Sequence, residues 1–244
     1  MSATSWGSGR RSSRILELAR EGPLLQVALD LTDRARALSL ARALANLEGV
    51  IIELGTPLIK AHGVRIAIEL RNESPETILL ADTKTSDAGA LEARLAFESG
   101  ADVMTVLGAA GDATVAEAVR VAGELGGLVE VDLINVRDPI GRAVEALELG
   151  AHIVGLHVGV DEQRARGARV IDFIDLVREL KARVGERALV SVAGGVRLSD
   201  AEKLARAGAD IVVMGSTIVG ASDPLEVTRE ALNLLRAVER RRST

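Results

Sequence analysis

Short apolar runs alternate with longer amphipathic stretches along most of the chain. The runs predict eight β-strands, at residues 24–31, 49–55, 77–84, 101–108, 128–135, 151–159, 188–195 and 209–217. Each run is apolar at nearly every position, which is typical of strands buried on both faces of a parallel sheet. The stretches between the runs, such as residues 112–126 and 199–209, repeat their apolar residues at helical spacing. The alternation therefore predicts an α/β protein in which helices connect parallel strands.

The number of units distinguishes two α/β architectures. Eight strand–helix units within residues 23–241 indicate one closed (β/α)8 TIM barrel in a single domain. Gly100, Gly150 and Gly208 each stand just before a strand, where a glycine is the expected C-cap of the preceding helix. The alternative is an open doubly wound sheet. No Gly-x-Gly-x-x-Gly follows the first strand, which disfavours the dinucleotide-binding form of that sheet.

Residues 1–22 precede the barrel as an N-terminal extension. Residues 1–13 are rich in Ser, Gly and Arg and predict a disordered tail, whereas residues 13–22 predict a short helix with Ser13 as its cap. No apolar core follows the basic residues, so the extension lacks the pattern of a secretory signal.

Composition removes several classes of function. The chain has no cysteine, which excludes disulfides, thiolate zinc sites and a cysteine nucleophile. A formal charge of −5 gives no reason to expect a nucleic-acid partner, and one Trp, two Phe and no Tyr leave little for base stacking. No apolar run reaches the roughly 18 residues that a membrane span needs. We therefore expect a cytoplasmic protein with neither nucleic acid nor a membrane as its partner.

Polar residues collect where the predicted strands end, and in this fold those positions line the active site. They are Asp30, Glu53, Asp82, Lys84, Asp132, Asn135 and His157. Asp82 and Lys84 are two residues apart, so we expect their side chains on the same side of the sheet. A buried ion pair can be purely structural, but its desolvation cost at a barrel mouth favours a functional role. Asp87 follows in the loop or the next helix, where a simple N-cap is an equally good interpretation.

Of the three histidines, only His157 stands at the expected site. His62 falls in a predicted helix, and His152 begins a strand at the end remote from the barrel mouth. An imidazole titrates near neutral pH, which suits it to proton transfer. His157 is therefore the candidate general base.

The last two strands end in glycine-containing turns. "SVAGG" closes strand 7 and "VMGST" closes strand 8, so Gly194, Gly195, Gly215 and Ser216 lie where barrels of this kind often bind phosphate. Glycines permit close backbone approach, and free N–H groups hold the anion. The pair of turns predicts a small phosphorylated metabolite as substrate.

Several motifs occur in the order of a known family. "LQVALDL", "ELGTPLIK", "ADTKTSDAG", "TVLGAAGDAT", "VDLINV", "HVGVD" and "VAGG" span about residues 24–235. In these motifs the chain resembles the 3-hexulose-6-phosphate synthases, which belong to the suprafamily of orotidine 5′-monophosphate decarboxylase and 3-keto-L-gulonate-6-phosphate decarboxylase. Asp-x-Lys-x-x-Asp at the end of the third strand marks the suprafamily. "GTPLIK", "DLINV" and "HVGVD" point to the synthase branch.

The resemblance implies an aldol reaction between formaldehyde and ribulose 5-phosphate that gives 3-hexulose 6-phosphate, or the reverse cleavage. It also implies a Mg²⁺ ion that stabilises an enediolate, with Glu53 and Asp82 holding the metal or orienting its ligands. A hard divalent cation bound by one or two carboxylates is suited to offset the charge of such an oxyanion.

The resemblance assigns the remaining roles by matching position. His157 would move the proton at C1 of the pentulose, and Asp30 and Lys84 would contact substrate hydroxyls. Asp87 would reach the neighbouring subunit's site in a homodimer, since the family builds its sites at a dimer interface. The two glycine turns would bind the phosphate.

The chain departs from the family pattern in two places. Ser216 and Thr217 stand where many suprafamily members have arginine or a second glycine. Residues 160–169 form a basic loop in which Arg164, Arg166 and Arg169 either close over the phosphate or remain solvated. These departures leave the source of positive charge for the phosphate open.

Three other functions remain as alternatives. A decarboxylase of a 3-keto sugar-acid phosphate would use the same metal and enediolate, but the arginine expected near strand 6 does not directly follow "HVGVD". An orotidine decarboxylase needs no metal, whereas Glu53 suits a metal site. A non-catalytic binding barrel would have no reason to keep so many charged groups at one mouth, given their desolvation cost.

Overall fold

The protein forms a closed barrel of eight parallel strands in the computed structural model, which describes residues 8–45 and 47–238. The strands are β1 Leu24–Leu29, β2 Val50–Leu54, β3 Ile78–Thr85, β4 Val103–Leu107, β5 Leu128–Asp132, β6 Ile153–His157, β7 Leu189–Ala193 and β8 Ile211–Met214. β1 pairs with both β2 and β8, which closes the sheet. The predicted (β/α)8 barrel is confirmed, and the open doubly wound sheet is wrong. Most predicted ranges overran the strands by one to three residues at an end, because the chain leaves the ladder there to form loops.

Helices follow each strand and cover the outside of the barrel, and one more helix, α1, precedes β1. They are α1 Ser8–Glu21, α2 Arg34–Leu44, α3 Thr56–His62, α4 Ile66–Glu73, α5 Gly89–Glu98, α6 Asp112–Leu125, α7 Pro139–Glu148, α8 Val160–Arg166, α9 Ile174–Val184, α10 Leu198–Arg206, α11 Ser216–Val219 and α12 Pro224–Arg236, with a 3-10 turn at Val170–Phe173. Gly100, Gly150 and Gly208 have φ angles of 97°, 93° and 114°, as expected for glycines that end helices. Within the residues that the structure describes, no helix is long and apolar enough to cross a membrane.

Alternation along the strands divides the core into two parts. Outward-facing strand residues pack under the helices, whereas inward-facing residues such as Leu24, Leu80 and Ile153 fill the barrel. The inward positions near the strand N-termini are apolar and tightly buried, so the barrel is solid at that end. The cavity that carries polar residues therefore opens only toward the C-terminal ends of the strands.

The N-terminal extension contributes a helix that closes the bottom of the barrel. α1 buries Ile15 and Ala19 completely, in the same cluster as the first inward-facing residues of the strands. Arg11 Nε lies 2.8 Å from Asp102 Oδ1, just before β4. The helix begins at Ser8 and not at Ser13, so the predicted cap is wrong: the Ser13 hydroxyl donates to the Gly9 carbonyl inside the helix. Residues 1–7 of the predicted tail and residues 239–241 at the predicted barrel end lie outside the described residues.

Candidate active site

A cavity of about 920 Å³ opens at the C-terminal ends of the strands. The predicted site residues that line it are Asp30, Glu53, Asp82, Lys84, Asp132, His157, Gly194, Gly195, Gly215 and Ser216. Asp87 and Asn135 are exposed and do not line the cavity of their own chain. The structure thus brings together all the strand-end and glycine-turn candidates except these two.

Asp82 accepts hydrogen bonds from three side chains in the cavity. Its Oδ1 accepts a hydrogen bond from the Thr105 hydroxyl at 2.8 Å, and its Oδ2 accepts one from the Thr56 hydroxyl at 2.7 Å. Lys84 Nζ donates to Oδ1 at 3.1 Å. Neither threonine was singled out in the sequence, because hydroxyl residues in strands and helix starts are common. Together these contacts hold the carboxylate in one orientation.

Lys84 reaches Asp82 by a different route from the one that alternation predicts. Ala81 pairs with Met104 and Thr85 with Val106, so β3 carries extra residues and bulges between them. Lys84 has a φ of 46°, in the left-handed region that non-glycine residues seldom adopt. Its backbone N–H donates to the Thr105 hydroxyl at 2.9 Å. The expectation that both side chains enter the cavity is correct, but the reason is a strained bulge that Thr105 supports.

The Lys84 ammonium joins two carboxylates. Nζ lies 2.7 Å from Asp132 Oδ2, in addition to its contact with Asp82. Burial alone would lower the pKa of Lys84, but the negative charges of Asp132 and Asp82 raise it above its ordinary value. Lys84 is therefore a fixed cation at neutral pH and cannot act as a base.

His157 is oriented by Asp132. Its Nδ1 lies 3.1 Å from Asp132 Oδ2, and the Ile134 backbone N–H donates to Oδ1 at 2.9 Å. Burial opposes ionisation of Asp132, but the hydrogen bond and charge of His157, with those of Lys84, hold the pKa of Asp132 below its usual range. An ionised Asp132 favours the tautomer in which Nδ1 carries the proton. Nε2 is then left with a lone pair that can accept a proton.

Glu53 and Asp30 complete a crowded acidic side of the cavity. Burial, followed by the negative charges of Asp82 and Asp30, raises the pKa of Glu53 well above its ordinary value. Loss of water and the charge of Asp82 likewise raise the pKa of Asp30. Gln26 Nε2 donates to Glu53 Oε2 at 2.8 Å, and this hydrogen bond and the charge of Lys84 oppose the rise in the pKa of Glu53. Burial and the negative charges around them thus disfavour the ionised forms of Glu53 and Asp30.

This acidic side fits a divalent cation in an open site. Within residues 8–45 and 47–238, no three His, Asp or Glu side chains converge as a complete set of protein ligands. Mg²⁺, however, usually takes only one or two carboxylates and fills its remaining positions with water and substrate oxygens. Glu53 and Asp82 supply oxygen donors whose mutual repulsion such an ion would offset.

Three polar residues that lie below the site were not predicted from the sequence. Gln26, Glu130 and Ser191 point into the barrel two positions before the strand ends, and all three line the cavity. The Ser191 hydroxyl donates to Glu130 across Gly155, where an added Cβ would lie 2.5 Å from Glu130 Oε1. Burial raises the pKa of Glu130 to about 7, against the hydrogen bond from Ser191. The sequence did contain a signal for them, because each is a polar residue inside an otherwise apolar strand.

The two glycine turns approach each other as predicted. Gly194 and Gly195 have φ angles of 115° and 66°, and a Cβ at Gly194 would lie 2.5 Å from the Val158 carbonyl oxygen. Only glycine can therefore occupy that position. The Thr217 hydroxyl donates to the Val196 carbonyl at 2.7 Å, which ties the turn after β8 to the turn after β7. Backbone N–H groups and hydroxyls thus line one concave part of the rim.

The basic loop forms the short helix α8, and its arginines differ in what they contact. Arg166 lies 3.2 Å from Glu162, and Arg169 lies 2.6 Å from Asp200 on α10. Arg164 alone of the three lines the cavity. Its guanidinium lies 4.0 Å from Asp161, so all three candidate arginines contact a neighbouring carboxylate.

Comparison with known proteins places this arrangement in context. Residues 23–231 match the model of the orotidine 5′-phosphate decarboxylase / HUMPS family. The chain is 45% identical over 208 residues to 3-hexulose-6-phosphate synthase of Mycobacterium gastri, covering 84% of this chain and 96% of that protein. It is 39% identical over 211 residues to 3-hexulose-6-phosphate synthase of Methylomonas aminofaciens, covering 86% and 98%. A crystal structure of 3-hexulose-6-phosphate synthase superposes with a TM-score of 0.80 at 41% identity, covering 87% of this chain and 99% of that one.

Proposed function

This chain belongs to the orotidine 5′-phosphate decarboxylase / HUMPS family, and we propose that it is a lyase that condenses formaldehyde with D-ribulose 5-phosphate to give 3-hexulose 6-phosphate, or cleaves that product. The observation that carries the proposal is the contact of Asp132 with both His157 and Lys84. It places one base and one fixed cation side by side at the mouth of the barrel, as an aldol reaction beside a carbonyl requires.

His157 moves the proton. Its Nε2 takes the proton from C1 of the pentulose, and the electron pair of that bond then forms the carbon–carbon bond to formaldehyde. The formaldehyde oxygen gains a proton, so the product is a hydroxymethyl group and no atom is lost. Asp132 stabilises the imidazolium between these events, because its carboxylate faces Nδ1.

Lys84, Asp82 and Asp30 orient the sugar. Lys84 keeps its positive charge between two carboxylates and is available to substrate oxygens on which negative charge develops. Asp30 lines the same side of the cavity and accepts hydrogen bonds from substrate hydroxyls. The phosphate binds at the turns of Gly194, Gly195, Gly215 and Ser216, whose N–H groups and hydroxyl suit an anion.

Glu53 and Asp82 would hold a Mg²⁺ ion. When bound, the ion supplies positive charge that offsets the charge developing on the substrate oxygens. Thr56 and Thr105 orient Asp82, and Gln26 orients Glu53 for this purpose.

The protein is also proposed to act as a homodimer that shares its sites. Asp87 is exposed outside its own cavity, and on the adjoining helix α5 Leu91 and Leu95 are 61% and 48% exposed. Two exposed leucines beside an exposed carboxylate support a contact with a second copy. Asp87 of one copy would then approach the cavity of the other.

The proposal is tested by incubating purified protein with ribulose 5-phosphate, formaldehyde and Mg²⁺ and following formaldehyde consumption. We expect consumption that EDTA abolishes and added Mg²⁺ restores. Glu53→Gln should lose turnover while its circular dichroism is unchanged, whereas the exposed control Glu186→Gln should keep full activity. Absence of consumption by the wild type contradicts the reaction. Full activity of Glu53→Gln, or of wild type in EDTA, contradicts the metal assignment.

A further inference from the structure

The proposed phosphate site has little positive charge of its own. Ser216 and Thr217 follow β8, and the turn after β7 offers glycine N–H groups. Asp30 lies against the same rim, because an added Cβ at Gly215 would be 3.8 Å from its Oδ2. A phosphate dianion in this cavity therefore meets several carboxylates, and a nearby cation would offset their repulsion.

Arg36 crosses from helix α2 to the helix that follows β8. Its Nη2 donates to the Val219 carbonyl at 2.9 Å, at the end of α11, whose first residue is Ser216. Arg36, Ser216 and Val219 all line the cavity. Because β1 and β8 are neighbours in the closed barrel, α2 begins beside the turn that is proposed to bind phosphate.

The charge of Arg36 is not neutralised by the protein. Within the part of the chain that the structure describes, no carboxylate lies within ion-pair distance of its guanidinium, and the nearby Asp33 carboxylate instead caps α2 by accepting from the Arg36 backbone N–H at 3.1 Å. Arg34, two residues earlier, pairs with Glu69 and does not line the cavity. The first turn of α2 thus carries Arg34, which is paired with Glu69 outside the cavity, and Arg36, which is exposed at the cavity rim and has no ion-pair partner among the described residues.

The other cations of the cavity are less suitable. Lys84 is held by the two carboxylates of Asp82 and Asp132. Lys60 belongs to α3, one strand further from β8. Arg164 stands on α8, a helix without a buried residue, and its guanidinium lies 4.0 Å from the Asp161 carboxylate. Arg36 alone of these is anchored to the β8 loop, which reduces the entropy lost on binding.

We propose that Arg36 is the cationic partner of the substrate phosphate bound at the turns after β7 and β8. The fork of its guanidinium suits phosphate oxygens while one nitrogen keeps its bond to Val219. The inference rests on the proposed function and deepens its phosphate site.

A purely structural role has to be separated from this one, since an arginine at a helix C-terminus also stabilises the helix. Arg36→Gln retains a donor for the Val219 carbonyl but removes the charge, and Arg36→Lys retains the charge. Arg34→Gln is the matched control on the same helix turn. Each variant is assayed with ribulose 5-phosphate and formaldehyde, and inorganic phosphate binding is measured by calorimetry.

We expect Arg36→Gln to raise KM for ribulose 5-phosphate about 10- to 100-fold, the range of a lost charged hydrogen bond. The kcat and the KM for formaldehyde should stay within about threefold, inorganic phosphate should bind correspondingly more weakly, and Arg36→Lys should recover part of the loss. Arg34→Gln should match wild type.

An Arg36→Gln enzyme with unchanged KM for ribulose 5-phosphate overturns the proposal, as does a rise of that KM in Arg164→Gln in its place. If wild type consumes no formaldehyde, the proposed reaction fails, but phosphate calorimetry still decides the role of Arg36. Weaker binding of phosphate to Arg36→Gln than to Arg34→Gln then supports the role. Equal binding, or no binding to wild type, refutes it.

Discussion

At the residue scale, Asp132 organises the chemistry of the cavity. It contacts the imidazole of His157 and the ammonium of Lys84 at 3.1 and 2.7 Å, so one carboxylate orients the base and the cation together. Lys84 cannot serve as the base while two carboxylates keep it protonated. The task of proton transfer therefore falls to His157.

Replacing His157 with Ala or Asn should lower kcat by about 10²–10⁴-fold, the usual contribution of a positioned general base. Binding of ribulose 5-phosphate should change less. Without formaldehyde, the variant should also fail to exchange the C1 proton of ribulose 5-phosphate with deuterated solvent, as followed by NMR. His62→Ala is the control, because that exposed imidazole contacts the Thr32 carbonyl outside the cavity. Exchange at the wild-type rate in His157→Ala would assign the base elsewhere.

Glu130 should make stability depend on pH. Burial raises its pKa from 4.5 to about 7 in the folded protein, so the unfolded chain releases this proton more readily. The contribution of Glu130 to the free energy of unfolding therefore falls as pH rises from 4.5 to about 7 and then levels off. Glu130→Gln cannot ionise and should unfold in urea at nearly the wild-type free energy at about pH 4.5. At about pH 8 the variant should be more stable than wild type by about 3 kcal/mol.

The exposed Glu186→Gln serves as the control for that experiment, since it removes a carboxylate without relieving burial. Its free energy of unfolding should differ from wild type by the same small amount at both pH values. The prediction is contradicted if the free energies of unfolding of Glu130→Gln and wild type differ by the same amount at both pH values. Burial would then not keep Glu130 protonated in the folded protein.

At the element scale, the ends of individual strands build the site. The bulge in β3 turns Lys84 into the cavity, and the turn after β7 brings Gly195 to the rim. Both features use backbone conformations with positive φ that ordinary strand geometry does not supply. The site thus depends on where each strand stops being regular.

Replacing Gly195 with Leu should mainly raise KM for the phosphorylated sugar. Gly195 has a φ of 66°, and an added Cβ would lie 2.9 Å from Arg169 Cγ, so the turn must shift and block backbone approach to the phosphate. Gly185→Leu is the matched control, because Gly185 has a φ of 62° but an added Cβ there would meet nothing within 4 Å. Steady-state kinetics measures the KM of both variants. An equal rise of KM in the two variants would place the phosphate elsewhere.

At the scale of the whole molecule, the chain closes one end of the barrel and keeps the other open. Helix α1 seals the bottom with Ile15 and with the ion pair between Arg11 and Asp102. Asp102 also pairs with the fully buried Arg71 at 2.7 Å, so the helix is tied into the body of the barrel. The open end is left for the proposed substrate, and the exposed leucines of α5 belong to the proposed contact with a second copy.

Shared sites in a dimer would allow two inactive variants to rescue each other. Asp87→Ala and His157→Ala should each be inactive alone. Mixing the two variants should restore up to about a quarter of the wild-type activity, averaged over all sites, because each hybrid dimer assembles one intact site. Formaldehyde consumption after subunit exchange measures the recovery. A mixture of His157→Ala with Lys84→Ala, both on the same cavity, is the negative control. No recovery despite exchange confirmed by mass spectrometry would contradict a shared site.

The sequence by itself determined the barrel and most of the residues around its mouth. Apolar runs of strand length, repeated eight times with helical stretches between them, favour a closed parallel sheet, and most polar residues at the ends of the runs then face the same cavity. Asp30, Glu53, Asp82 and His157 follow from this pattern without any knowledge of their contacts. The pattern did not predict where α1 begins, because the first residues of this helix are polar.

Only the tertiary structure decided how those residues act on one another. The bond between Asp132 and His157 joins positions 25 residues apart, and that between Arg36 and Val219 joins positions 183 apart. The bulge at Lys84 depends on Thr105 from the next strand, and the raised pKa of Glu130 depends on its burial inside the closed barrel. Periodicity along a chain reports which side of a strand a residue occupies. Distances, desolvation and charge coupling arise only when strands far apart in sequence are brought together.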